Sequence, residues 1–330
     1  MAMAGKIALV TGATGFLGGA LAQRLAAEGV PVRALARQPH KAARLEGQPG
    51  LKVVMGDITD PAQMQAAVQG CQVVFHAAAA LRGPLSEQRR VNVEGTRVLM
   101  QAAATAGVER VVHVSTIAVY GYAAAGDVAE DTPLAPGAVP YNISKAEGEA
   151  VVREEAARRG LAYTIIRPAM IYGPRSGMWT AFLFRWARRR PVIFIGDGSG
   201  YTYPIYVDDV VDLMVRLASH PAAVGEAFNC APDPPPTWRE WLLAYARLAG
   251  HEHWLGLPSL PFRLAAPLAE RVMRLRGEPQ ELPAMLAFVQ GRRVYRMAKA
   301  RDRLGWQSQV SLADGVARCA PWLREKGLLV

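Results

Sequence analysis

Short apolar runs alternate with helical stretches along the first half of the chain. Lys6 to Val10, Val30 to Ala36, Leu51 to Met55, Val73 to Ala77, Arg110 to Ser115 and Tyr163 to Arg167 read as buried strands. Between them, helical periodicity runs through Leu21 and Leu25 up to Gly29, then over Ala62 to Val68, Glu94 to Ala106 and Tyr141 to Arg159. The strands are continuous Val/Ile/Leu runs rather than alternating ones, as in a parallel sheet covered on both faces. The pattern therefore predicts an α/β fold with a doubly wound parallel sheet. The stretch from Tyr122 to Pro140 is rich in Gly, Pro, Ala and Asp and reads as a surface loop. Beyond Gly173 the alternation breaks down and Pro and Trp become frequent. This predicts a dinucleotide-binding domain over residues 1–173 and a smaller substrate-binding lobe over 174–330, with some segments of the latter returning to the sheet. Leu264 to Arg276 is amphipathic and cationic; packing onto its own domain is the expectation, a membrane surface the alternative.

Composition narrows the setting. The 330 residues can bury a sizeable core without disulfides or metals. Cys71, Cys230 and Cys319 lie far apart and form no CxxC pair, which suits a reducing compartment and gives no reason to expect a metal site. No signal peptide is read at the N-terminus and no apolar run reaches membrane-spanning length, so a cytoplasmic protein is expected. The formal charge is +10, yet no basic run is interleaved with aromatics, and no nucleic-acid partner is expected. Arg185 to Arg190, the densest basic stretch, suits a helix C-terminus.

The chemistry begins at Gly12-Ala13-Thr14-Gly15-Phe16-Leu17-Gly18, between the first strand and the first helix. That context is what a dinucleotide turn requires. Gly12 permits a tight turn, Gly15 a close approach of backbone to pyrophosphate, and Gly18 close packing of helix on strand. Thr14, Phe16 and Leu17 fall at the helix N-terminus, where free N–H groups meet phosphate.

The spacing GxxGxxG resembles the turn of the extended short-chain dehydrogenase/reductase family. The resemblance continues in order over about two thirds of the chain. Asp57 and Ile58 resemble that family's adenine-binding pair. Ala77, Ala78 and Ala79 resemble its small-residue strand end beside the cofactor, and Asn92 the Asn of its central helix. Ser115-Thr116-Ile117-Ala118-Val119-Tyr120-Gly121 matches S-[ST]-x-x-V-Y-G, and Tyr141 with Lys145 matches YxxxK. Arg167-Pro168 with Tyr172-Gly173-Pro174 matches R-P-x-x-[VI]-[YF]-G-P, placing Pro168 and Met170 beside the cofactor. The resemblance implies a Rossmann-type fold, an NAD(P)-dependent enzyme and a homodimer.

At the tip of the second strand stands Arg37, where an acidic residue would hold the ribose of NAD. A guanidinium there suits the 2′-phosphate, so NADP(H) is favoured and NAD(H) is the alternative. Tyr141 and Lys145 are four apart on one helix face. A neighbouring ammonium is expected to lower the phenol's pKa, fitting Tyr141 to exchange a proton with a carbonyl or alcohol oxygen. Thr116 is assigned to the same substrate oxygen, Ser115 to the cofactor side, and Lys145 also to the nicotinamide ribose. His76 and His113 read as core histidines. Met170 replaces an Asn common in nucleotide-sugar enzymes, and Tyr203 is read in place of the Arg that follows their G-D-G segment. The substrate pocket is accordingly assigned to Thr116, Met170, Trp179 and Tyr203, with Phe182 and Trp186 as further apolar candidates. The expected reaction interconverts a secondary alcohol and a ketone on a hydrophobic or cyclic small molecule. A nucleotide-sugar epimerase or dehydratase is the alternative, and a non-catalytic NADP-binding regulator a third reading.

Overall fold

The computed structural model describes residues 3, 5–122, 125–276 and 281–329. The first residues of the N-terminal segment, and Ala123 and Ala124 of the expected loop, lie outside them. Seven parallel strands form the central sheet: β1 (Ala8–Thr11), β2 (Val32–Ala36), β3 (Leu51–Met55), β4 (Val73–His76), β5 (Arg110–Val114), β6 (Tyr163–Pro168) and β7 (Ala227–Cys230). Their spatial order is β3-β2-β1-β4-β5-β6-β7. Eight helices matter here: α1 (Phe16–Ala27), α2 (Pro61–Val68), α3 (Gly95–Thr105), α4 (Pro140–Arg159), α5 (Val207–Ser219), α6 (Trp238–Leu248), α7 (Ser259–Leu275) and α8 (Leu282–Gln290).

Period-two alternation within each strand builds a separate core on each face of the sheet. Ala8 and Val10 join one apolar cluster, while Leu9 between them joins the other. Helices α1 and α5 pack together on the first face; α2, α3 and α4 line the second. Local chemistry fixes their ends. Asp60 accepts from the Ala62 and Gln63 amides to start α2, and Gly160 stops α4 in the left-handed conformation at φ 67°.

The six expected strands all form, with ends shifted by one or two residues. The sheet does not stop at residue 173. Helix α5 covers it and β7 extends it along β6, pairing Phe228 with Ile166. The expected loop holds a short strand, Ala125–Val128, paired with Arg292–Tyr295. The smaller lobe includes α6, α7, α8, further short helices and a two-stranded pair, Val192–Ile195 with Trp254–Leu257.

One expectation is corrected here. Helix α7 does not bury its leucines against its own domain. Ala266 is its one buried residue, with Glu270 and Met273 half-buried beside it, whereas Leu264 and Leu268 point to solvent. The inward face is the small and polar one, so the apolar stripe falls on the other side.

Candidate active site

The strand order reverses between the neighbouring strands β1 and β4, whose following helices, α1 and α3, cover opposite faces of the sheet. The crevice beyond their carboxyl ends is where such sheets bind ligands. A cavity of about 460 Å³ lies there. Gly12 leaves β1 at φ 70°, and a side chain on it would sit 2.8 Å from the Ala77 and Ala78 backbone. A Cβ on Gly18 would strike the Gly12 carbonyl, so the helix seats on the turn only with glycine there. Gly15 caps α1 without a side-chain acceptor, leaving amide donors for a ligand. A wall free of side chains, backed by a helix N-terminus, fits a dinucleotide pyrophosphate.

The cavity gathers most of the expected residues. Thr14, Gly15, Phe16, Leu17 and Gly18 line one side; Arg37, Asp57 and Ile58 close the end beyond β2 and β3; Ala77, Ala78 and Ala79 continue from β4. Ser115, Thr116, Tyr141, Lys145 and Pro168 line the far end. Arg37 is half-exposed, 3.7 Å from the Asp57 carboxylate. Burial pushes that carboxyl up, but the Thr59 amide and hydroxyl, with Arg37, outweigh it and hold it below its ordinary value.

Behind the crevice His76 bonds Thr11 at 2.8 Å and Thr96 at 3.0 Å, and Thr11 in turn accepts from the Ala78 amide. His76 is buried, which lowers its pKa to about 3, so it is a neutral brace. His113 is also buried and held well below its ordinary pKa by burial and by the Lys145 charge.

Asn92 is corrected to a positioning role. Its carboxamide is consumed by the Ala80 amide and carbonyl at 2.7 and 2.9 Å and by Ser144, so it holds the cavity wall without lining it. Met170 also leaves the cavity. Ala169 and Ile171 face it, and by strand alternation Met170 points the other way, where its sulfur accepts from Thr202. Tyr203 is fully buried and donates to the Arg293 carbonyl; counting along the G-D-G segment puts Thr202, not Tyr203, at the arginine position. Trp179 stacks on Trp241 in the lobe's core, and Phe182 is exposed.

The aromatic lining expected of those residues is supplied elsewhere. A second cavity, of about 300 Å³, is walled by Trp186, Phe194, Trp238, Leu242 and Val289 together with the Gly196–Gly200 backbone. Asp197 is its one charged lining residue. A third, polar cavity shares Thr14, Gly15 and Phe16 with the first and is lined by Arg44, Arg175 and Lys326. These cations beside the phosphate turn were not singled out from the sequence. The usable signal was Arg175 directly after the Gly173-Pro174 turn, where it takes a left-handed backbone, φ 76°.

At the reacting end, the Thr116 hydroxyl accepts from the Ala118 amide and faces the Tyr141 phenol. Lys145 does not lower the phenol's pKa as expected. Burial dominates and pushes Tyr141 up to about 12, with Thr116 pulling modestly the other way. The Lys145 ammonium instead donates 2.6 Å to the Val114 carbonyl, and burial brings its own pKa down to about 8.

The model of the NAD dependent epimerase/dehydratase family matches residues 8–231. The chain belongs to that family. The match runs through the glycine turn, Thr116, Tyr141 and Lys145 and ends just past β7. Among curated relatives, the UDP-glucose 4-epimerase of Mycolicibacterium smegmatis is 34% identical over 96% of this chain and 98% of its own. A quinoline-oxide ketoreductase of Stigmatella aurantiaca is 30% identical over 93% of both. Sterol demethylase protein B of Methylococcus capsulatus is 31% identical over 97% and 99%. The dTDP-glucose 4,6-dehydratase DesIV of Streptomyces venezuelae, solved with NAD, superposes with a TM-score of 0.77 at 27% identity, covering 97% of each chain. Epimerases, dehydratases and reductases of this extended family share an NAD(P)-dependent chemistry, and this chain is an enzyme of that kind.

Proposed function

We propose that this enzyme reduces a ketone to a secondary alcohol, and runs the reverse, on a hydrophobic or cyclic small molecule, using NADP(H). The supporting observation is the second cavity. It borders the Gly196-Asp197-Gly198 segment, its walls are aromatic and aliphatic, and among the described residues none that lines it is a cation. A sugar nucleotide would bring a diphosphate to a wall that offers a carboxylate, Asp197, and the arginine position of the G-D-G segment is held by the buried Thr202. Arg239, nearby, lies over the Trp254 ring at 5.1 Å. The ketoreductase and sterol-pathway relatives are in keeping with an apolar substrate.

The bound cofactor supplies or takes the hydride. The chain's residues handle the proton. With its pKa near 12, Tyr141 carries its proton at neutral pH and is set to give it to the oxygen of a carbonyl under reduction. Thr116 donates to the same oxygen and steadies the charge developing there. Lys145, which lines the same cavity, would hold the nicotinamide ribose. Arg37, at the adenosine end, supports the choice of NADP(H). The reading places the enzyme in the cytoplasm as a homodimer, which light scattering tests directly.

The more identical relative, an epimerase, favours a second reading in which hydride is returned to the same sugar nucleotide. Calorimetry with uridine and thymidine diphosphate sugars separates the two. The redox reading expects no micromolar binding, and NADPH consumption with apolar cyclic ketones. Tight binding of a sugar nucleotide without net NADPH turnover would replace it with the epimerase.

A further inference from the structure

Helix α7 presents its apolar side to solvent. Leu260, Leu264, Leu268 and Leu275 fall within one narrow stripe at helical spacing and are 63%, 72%, 68% and 83% exposed. In a helix that folds onto a core these positions would be the buried ones. The pattern is inverted: Ala266 and Glu270 face the protein, the leucines face away.

Charge defines what such a face fits. Arg263 and Arg274 lie along one edge of the stripe, Arg271 falls within it, and Glu270 is the helix's one acidic residue. Arg274, itself exposed, bonds the half-buried Glu270 at 2.8 Å. The chain as a whole carries +10, which adds long-range attraction to an anionic plane. Trp254 and Leu255, on the strand that precedes the helix, are exposed as well. Tryptophan beside arginine is a pairing suited to the headgroup level of a bilayer. No described helix is long and apolar enough to cross one, and α7, interrupted by charges, would lie in the interface plane instead.

We propose that α7 docks the enzyme on an anionic lipid surface, leucines in the acyl boundary and arginines among the headgroups. A second copy of the chain would meet the same arginines with their like, which disfavours a self-contact across this face. The docked helix begins at Ser259, which also lines the apolar second cavity. Docking therefore sets the mouth of that cavity near the membrane. The docking surface stands independently of the reaction assigned to the enzyme.

Vesicle sedimentation tests this with the full chain. Phosphatidylcholine vesicles containing phosphatidylglycerol should bind the protein at least about tenfold more tightly than phosphatidylcholine alone, and added salt should weaken the binding. The exposed pairs Leu264→Glu with Leu268→Glu, and Arg263→Gln with Arg271→Gln, should each lose about tenfold or more in vesicle affinity. Both should keep wild-type NADPH affinity, showing an intact fold. Equal binding to the two lipid compositions, or wild-type vesicle affinity in both variants, overturns the proposal. So does a leucine variant that turns a dimer into a monomer while wild type ignores vesicles, which assigns the face to a second copy.

Discussion

The Lys145 ammonium donates to the Val114 carbonyl at 2.6 Å, tying the middle of α4 to the end of β5. Val114 precedes Ser115 and Thr116, so this bond fixes Lys145 and the cavity-lining Thr116 in one frame. The ammonium is thereby turned to backbone, while burial keeps the Tyr141 phenol protonated.

That arrangement predicts different losses from different substitutions. Tyr141→Phe should leave NADPH affinity intact and cut turnover by at least ~10²-fold, the scale of general acid catalysis. Thr116→Ala should cost about 3 kcal/mol of transition-state stabilisation, again with cofactor affinity kept. Single-turnover rates and cofactor titrations on both variants provide the check. Near-normal turnover in Tyr141→Phe would remove the phenol from the mechanism.

A buried ammonium is a load on the folded state. Lys145 titrates near 8 when folded and at 10.5 when free. Below pH 8 both states are charged, and the folded one bears a penalty on the order of 3 kcal/mol. Between 8 and 10.5 the unfolded chain binds more protons, so stability rises with pH through that window. Lys145→Met should therefore raise the apo-protein's thermal midpoint at pH 7, lose that advantage toward pH 10.5, and bind NADPH poorly. Thermal unfolding at a series of pH values measures it. A variant less stable than wild type at pH 7 would show that the Val114 and Glu149 contacts outweigh desolvation.

Much of this frame was legible in the residues. Local rules sufficed where chemistry is local: the glycine turn, the strand runs and the Tyr141–Lys145 spacing all lie within short windows. Assignments that needed tertiary knowledge went astray. Met170 was placed by motif position, but the strand's alternation turns it from the cavity and brings Ile171 in. Tyr203 has the composition of a pocket residue and the burial of core, and the half-buried Trp179 packs against Trp241 rather than into the cavity. The direction of the Tyr141 shift follows from how deeply the phenol is buried and where the Lys145 ammonium points, which spacing alone does not specify. Strand β7 was missed because AFNC is short and follows the region where alternation breaks down.

Arg37 is half-exposed and shares its charge with Asp57 at 3.7 Å. A 2′-phosphate would displace that long contact with charge-assisted hydrogen bonds. Arg37→Ala should weaken NADPH by about tenfold and leave NADH nearly unchanged, solvent screening limiting the effect. Fluorescence titration with each nucleotide checks it. Equal losses for both would mean that Arg37 stacks on adenine instead.

The deepest charge pair stands behind the reacting groups. Arg167 on β6 makes a two-pronged contact with Glu149 on α4, at 2.9 and 2.7 Å, and its remaining nitrogen reaches the Tyr120 hydroxyl and the Glu130 carbonyl. Burial pushes Glu149 up, but Arg167 prevails and holds it below the usual carboxylate range, so its contribution to stability is present above that range and is lost as acid protonates it. Glu149→Gln strands a buried guanidinium and should cost about 3–5 kcal/mol, whereas Glu149→Leu with Arg167→Met should recover a large part of that. Glu149 also lies one turn beyond Lys145 and supports its ammonium. Glu149→Gln should therefore shift the pH at which NADPH affinity falls to lower values, an effect that simple destabilisation does not produce. Denaturant unfolding and NADPH titration across pH 6 to 9 test the two halves separately; an unmoved pH profile would confine Glu149 to holding α4 on the sheet.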